Sequence, residues 1–209
     1  MKTVREMETD QYLSPTFFID CDAVSVRKKS QEVIGSEIRE REKATNIFFF
    51  VRDKIKYSLY VPRSLPEDFR ASQILSRGEG YCVQKAVLFV ALARAADIPA
   101  RLRFSKIRNH LTPQELLEKR GTNVFAYHGL AELYIEDSWI KATPTYDLDY
   151  CKKTGTIPVH FDGTKDALLP PRALDGRPHI EYLKDRGFFK DLPFDELRRA
   201  SISSKYITS

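Results

Sequence analysis

Apolar positions change their period along the chain, and those changes divide it into elements. From about Ser30 to Lys56, Val33, Ile34, Ile38, Ile47, Phe48 and Val51 recur at three- and four-residue intervals between charged positions. This pattern predicts one amphipathic helix with Gly35 as its weak point. Residues 1–20 read as an irregular arm broken at Ser14-Pro15, and Tyr57 to Pro66 as a loop or brief extended piece. Ser72 to Leu75 predicts a short helical turn. From Val83 to Ala96 small and apolar residues wrap most of a helix circumference, so that helix should be central and buried. Asp97-Ile98-Pro99 ends it, and the alternation from Ala100 to Ile107 predicts a strand.

Leu111 to Lys119 reads as a short helix with Thr112 as cap, Pro113 in first position and Glu115 completing a capping box. Phe125 to Ile135 and Trp139 to Thr143 flank Glu136-Asp137-Ser138 and predict an antiparallel hairpin. Beyond Cys151 the period is lost among prolines 158, 170, 171, 178 and 193, and one last helix is expected near Phe194 to Ile202. Phe161, Leu168, Leu169, Tyr182, Phe188, Phe189 and Phe194 are the expected apolar anchors of a 151–209 extension that wraps the core. The expectation is an α+β fold in one domain, residues 1–209, with a recognisable core over about 44–147.

Composition narrows the class. A 42% hydrophobic, 30% charged chain of 209 residues can fold around its own core without disulfides or a metal. Cys21, Cys82 and Cys151 are too few and too widely spaced for a disulfide framework, which points to a reducing, cytoplasmic setting; a 21–151 pair is the alternative. No apolar run approaches a membrane span, and Glu6, Asp10 and Asp20 interrupt any secretory-type leader. The net charge of +5 is spread among acids, as in Arg39-Glu40-Arg41-Glu42-Lys43, so neither nucleic acid nor membrane is an expected partner. No cluster has metal-ligand spacing, and no cofactor or metal is expected.

Chemistry concentrates at Cys82, where Ser76-Arg77-Gly78-Glu79-Gly80-Tyr81 meets the buried helix. Free N–H groups of a first helical turn favour a thiolate and can hold a developing oxyanion, so a lowered thiol pKa is expected. A buried cysteine that merely starts a core helix is the bland alternative. His128, in Tyr127-His128-Gly129-Leu130, is the candidate base: strand parity places it with Leu130, Glu132 and Tyr134, while Gly129 leaves room for a close neighbour. His110 is the rival base, though an exposed polar role suits it better; His160 and His179 lie in irregular segments.

The segment Gly80-Tyr81-Cys82, the alanine-rich run Ala86 to Ala96 and Asp97-Ile98-Pro99-Ala100-Arg101 resemble the core of the transglutaminase-like superfamily. His128, Glu132 and Tyr134, followed by the Trp139 strand, are similar to its second motif, and Phe50 to Tyr57 to the helix ahead of its nucleophile. The resemblance implies a papain-like α+β core and acyl transfer: Cys82 attacks a peptide or protein amide, and His128 serves first the thiol and then the acceptor. Three classes follow: a cysteine-dependent amide or peptide hydrolase working through a thioester, an amine acyltransferase, and an inactive binding or structural relative. Hydrolysis is favoured because water needs no acceptor groove, for which a chain of this length has little room. One departure stands out. Thr143 occupies the place where the family carries an aspartate that orients the histidine. Thr143 is the expected orienting residue, with Asp147 as its competitor and Glu132 as a structural or substrate-side acid.

Overall fold

The structure, a computed structural model, describes residues 9–203, with side chains to residue 200. Two helices, α1 (Val24–Ile34) and α2 (Glu40–Lys54), stand where the sequence predicts one. Gly35 separates them at φ 59°, a conformation a helix cannot continue through. Ile38 falls in the break and is 87% exposed, so its periodic position has no packing meaning. A one-turn 3₁₀ helix (Pro66–Phe69) and α3 (Ala71–Arg77) follow. β1 (Lys56–Tyr57) and β2 (Glu79–Gly80) pair in parallel on either side of them, a contact too short to show in periodicity.

The helix predicted from the apolar run is α4 (Cys82–Ala95), and every residue from Val83 to Arg94 is buried. It lies between α1, α2 and α3 on one side and β3 (Ala100–Asn109) and β4 (Val124–Ile135) on the other. That placement explains why its sequence lacks a polar face. The hairpin of β4 with β5 (Ser138–Ala142) is present, turning through Glu136 and Asp137 at positive φ. The predicted capping box is not: α5 (Gln114–Arg120) starts after Pro113 without a side-chain cap, because the Thr112 hydroxyl donates to the Asn109 carbonyl.

The antiparallel sheet runs β5-β4-β3-β6. β6 (Ile180–Phe189) is the largest departure from the sequence reading, which placed no strand after Thr143. It pairs with β3, and half of its residues are exposed, so its side chains carry little apolar alternation. Its neighbours in the chain are α6 (Leu148–Thr154) and α7 (Phe194–Ser203). Among the expected anchors Phe161 and Leu169 are buried, and Phe189 and Phe194 pack partly buried against the core. Phe188 is half exposed, with the Arg101 guanidinium stacked on its ring at 3.6 Å. All three cysteines are free. No helix among the described residues is long and apolar enough to cross a membrane.

Candidate active site

Cys82 is the first residue of α4, brought there by a tight approach. Gly78 ends α3 at φ 74°, and the β1–β2 pairing then aligns Gly80 beside Tyr57. Gln84, fully buried, donates to the carbonyls of Pro62 and Asp68 at 2.9 and 3.0 Å and ties that loop to the first turn of α4. From the sheet side Gly129 comes so close that a Cβ there would stand 2.7 Å from Val83 Cα. The room inferred from Gly129 is therefore occupied by the backbone of the nucleophile helix.

Backbone N–H groups of Gly129, Val83 and Cys82 itself lie close enough to the sulfur to favour its thiolate. Desolvation nevertheless outweighs them, and the thiol pKa is pushed up to about 11. This corrects the expectation of a lowered pKa: a helix start helps an anion only as far as its surroundings remain solvated or charged. The phenols of Tyr57, Tyr81, Tyr146 and Tyr182 lie close enough to couple to a thiolate formed at Cys82, and burial keeps all four neutral at ordinary pH.

His128 is 2% exposed, and its Nε2 has no hydrogen-bond partner among the described residues. Burial alone drives its pKa down to about 4. At neutral pH the resting pair is thus thiol and neutral imidazole. Its ring meets the ring of Tyr182 edge-on, at 6.2 Å between centroids. Thr143 is fully buried, and its Oγ1 likewise lacks a hydrogen-bond partner among the described residues. Its backbone N–H is held by the Ala167 carbonyl at 3.0 Å. Thr145, which the sequence does not mark, carries a second buried hydroxyl in the same condition. The β4–β5 pairing ends at Ala131–Ala142, so both threonines lie in the irregular segment that follows it. No local pattern in the sequence singles Thr145 out.

The remaining candidates are committed elsewhere. Asp147 caps α6, accepting from Tyr150 N at 2.8 Å with one oxygen and from Tyr57 N at 2.7 Å with the other. Glu132 is buried between Arg101 and Arg103, with 2.6 Å to each. Arg101 in turn lies over the Trp139 ring at 3.8 Å, so the acid of the second motif holds the sheet together. His110 sits 3.4 Å from Glu181 at the surface. Lys85, one turn along α4 from Cys82, is fully buried and donates to the carbonyls of Arg52 and Ile55 at 3.0 and 2.6 Å.

No curated protein matches the chain. A candidate cysteine protease from Cytophaga hutchinsonii superposes with a TM-score of 0.55 at 21% identity, over 88% of this chain and 47% of that one. A candidate protease from Parabacteroides distasonis gives 0.42 at 12% identity, over 66% and 26%. The periplasmic domain of TgpA from Pseudomonas aeruginosa gives 0.42 at 20%, over 57% and 41%. The chain therefore spans less than half the length of each of these structures. The sequence profile of the transglutaminase-like superfamily matches residues 27–144, which takes in α2, α3, α4 and the β3–β5 sheet with Cys82 and His128 inside it, and the chain belongs to that superfamily.

Proposed function

We propose that this protein is a cysteine-dependent amide or peptide hydrolase with Cys82 as nucleophile, His128 as proton carrier and Thr143 as orienter of the imidazole. The observation that carries the proposal is a group of buried, unsatisfied polar atoms at the start of α4. His128 Nε2 and Thr143 Oγ1 lack hydrogen-bond partners among the described residues, and Tyr182 lies against the His128 ring within electrostatic reach of Cys82. Buried polar groups left unpaired cost about 1–3 kcal/mol each, and such a cost gathered in one place is characteristic of a working site.

In the step so assigned, the Cys82 sulfur attacks the amide carbon as His128 takes the thiol proton. The new oxyanion lies within reach of backbone N–H groups at the helix start. His128 then returns the proton to the departing amine as the C–N bond breaks, leaving a thioester. Water, deprotonated by His128, attacks that thioester, and the sulfur leaves and regains its proton. Proton transfer accompanies bond formation, because the resting thiol and imidazole sit near 11 and 4 rather than as an ion pair.

Trapping with a peptide aldehyde or peptide vinyl sulfone, read by intact mass, tests this reading. Adducts should form on Cys82, at rates nearly flat between about pH 5 and 9, and be lost in Cys82→Ala and strongly slowed in His128→Asn. Trapping that ignores His128, or labels Cys21 and Cys151 as fast as Cys82, would sink it. A second reading, an inactive relative that keeps the fold, is favoured by the raised Cys82 pKa and the threonine at position 143. It predicts no adduct on Cys82 with either trap at any pH in the folded range.

A further inference from the structure

The family core ends at residue 144, yet the group that touches both His128 and Thr143 comes from beyond it. Tyr182 lies on β6, opposite Ile107 of β3, while His128 on β4 lies opposite Ser105 of the same strand. β3 thus carries the two residues on its two flanks, and their rings meet edge-on across it. The Tyr182 oxygen accepts the N–H of Leu169 at 3.2 Å and also lies near the Thr143 hydroxyl, whose oxygen makes no hydrogen bond of ordinary geometry among the described residues.

A phenol oxygen accepts at most two hydrogen bonds, and Leu169 uses one place. A threonine hydroxyl has one proton and can point it at one acceptor. If that proton faced Nε2, the imidazolium formed on taking up the thiol proton would meet it donor to donor, since both of its nitrogens carry hydrogen. If the proton is held by Tyr182, the threonine lone pairs are left for the Nε2–H. Thr143 can therefore stand in for a carboxylate only when something outside it fixes the hydroxyl rotor.

We propose that Tyr182 is a positioning residue: its phenol oxygen receives the Thr143 hydroxyl proton, so that Thr143 Oγ1 accepts from His128 Nε2–H and the other imidazole nitrogen stays free. The inference rests on His128 as the base in the reading above, and it extends the site to a residue outside the family core. Tyr182→Phe removes the oxygen and keeps the ring against His128. Thr143→Val removes the hydroxyl at equal shape, and Thr143→Ser restores it.

The experiment is long-range ¹H–¹⁵N correlation of His128 at pH 7 in protein labelled at the histidine ring, with Cys82 alkylation by iodoacetamide measured beside it. The wild type and Thr143→Ser should show the Nε2–H tautomer alone. Tyr182→Phe and Thr143→Val should each give a tautomer mixture, with alkylation slowed by up to about 10²-fold, the low end of a positioned general base. Because the two act in series, the double variant should be no worse than either single one. A Tyr182→Phe protein with the wild-type tautomer overturns the inference. Should that variant not fold, a Thr143→Val protein that keeps the wild-type tautomer overturns it equally. If the tautomer shifts as described while Cys82 alkylation is indifferent to His128→Asn, the positioning role stands and the hydrolase reading falls.

Discussion

The two ends of α4 treat buried polar groups in opposite ways. At the C-terminal end Arg94 is 3% exposed and each of its three guanidinium nitrogens is paired, donating to the carbonyls of Ala100 at 2.9 Å, Ser14 at 2.7 Å and Lys190 at 2.8 Å. One side chain thereby joins the N-terminal arm, the start of β3 and the segment after β6. Ser30 adds a bond from α1 to the Leu92 carbonyl at 2.8 Å. At the N-terminal end the thiol is partly buried and the imidazole and two threonine hydroxyls are fully so, yet three polar atoms there have no partner among the described residues. Near Arg94 one buried atom, Asp191 Oδ1, lacks a partner among the described residues, against three at the end where a substrate could supply what is missing.

Substitutions at each end should expose this contrast, and Arg94→Met should have the largest effect. It would strand three carbonyls at once, so stability should fall by roughly 4 kcal/mol, read as the denaturation midpoint, without altering the relative labelling of Cys82 in whatever folded fraction remains. Arg94→Lys should recover only part of the loss, because a single ammonium lacks the guanidinium fork. A loss under about 1 kcal/mol would mean that the C-terminal end is not the anchored one.

Acid should act on the other end. His128 titrates near 4 in the folded chain and near its ordinary 6.5 when unfolded. Above 6.5 both states are neutral; between 6.5 and 4 only the unfolded chain takes up the proton. The His128 contribution is thus fully present above pH 6.5 and lost as the pH falls through about 4, amounting to about 3 kcal/mol. Urea midpoints across this range should drop steeply for the wild type and less steeply for His128→Asn. Parallel curves for the two proteins would show that the imidazole is not held neutral by burial.

Gly129→Ala is expected to cost about 2 kcal/mol, since its Cβ would meet the Val83 backbone, which cannot rotate aside. It should also move the Gly129 N–H off the sulfur and raise the Cys82 thiol pKa further, measurable by thiolate absorbance. The smallest effects come from a matched pair. Ser30→Ala should lose about 1 kcal/mol with its satisfied bond, whereas Thr145→Val should be neutral or stabilising by up to about 1 kcal/mol, because it removes a hydroxyl with nothing to bond. Destabilisation by Thr145→Val would reveal a partner and weaken the distinction between the ends.

Much of this was legible in the residues themselves. A helix apolar on all sides from Ala86 to Ala93 has to be central, and two alternating runs around Glu136-Asp137 have to form a hairpin; local period and turn chemistry decide such things without reference to the rest of the chain. Glycine before Cys82 and after His128 likewise announced close approaches. What only the tertiary structure decided depends on groups distant in sequence. The thiol pKa reverses direction because desolvation by surroundings drawn from several segments outweighs the backbone N–H groups, which no local helix-dipole argument contains. β6 has no period to read because its register is set by hydrogen bonds to β3, and those are made by backbone that is the same for every residue. For that reason Tyr182 could be read from the sequence only as an apolar anchor, while the fold carries it across β3 to the ring of His128.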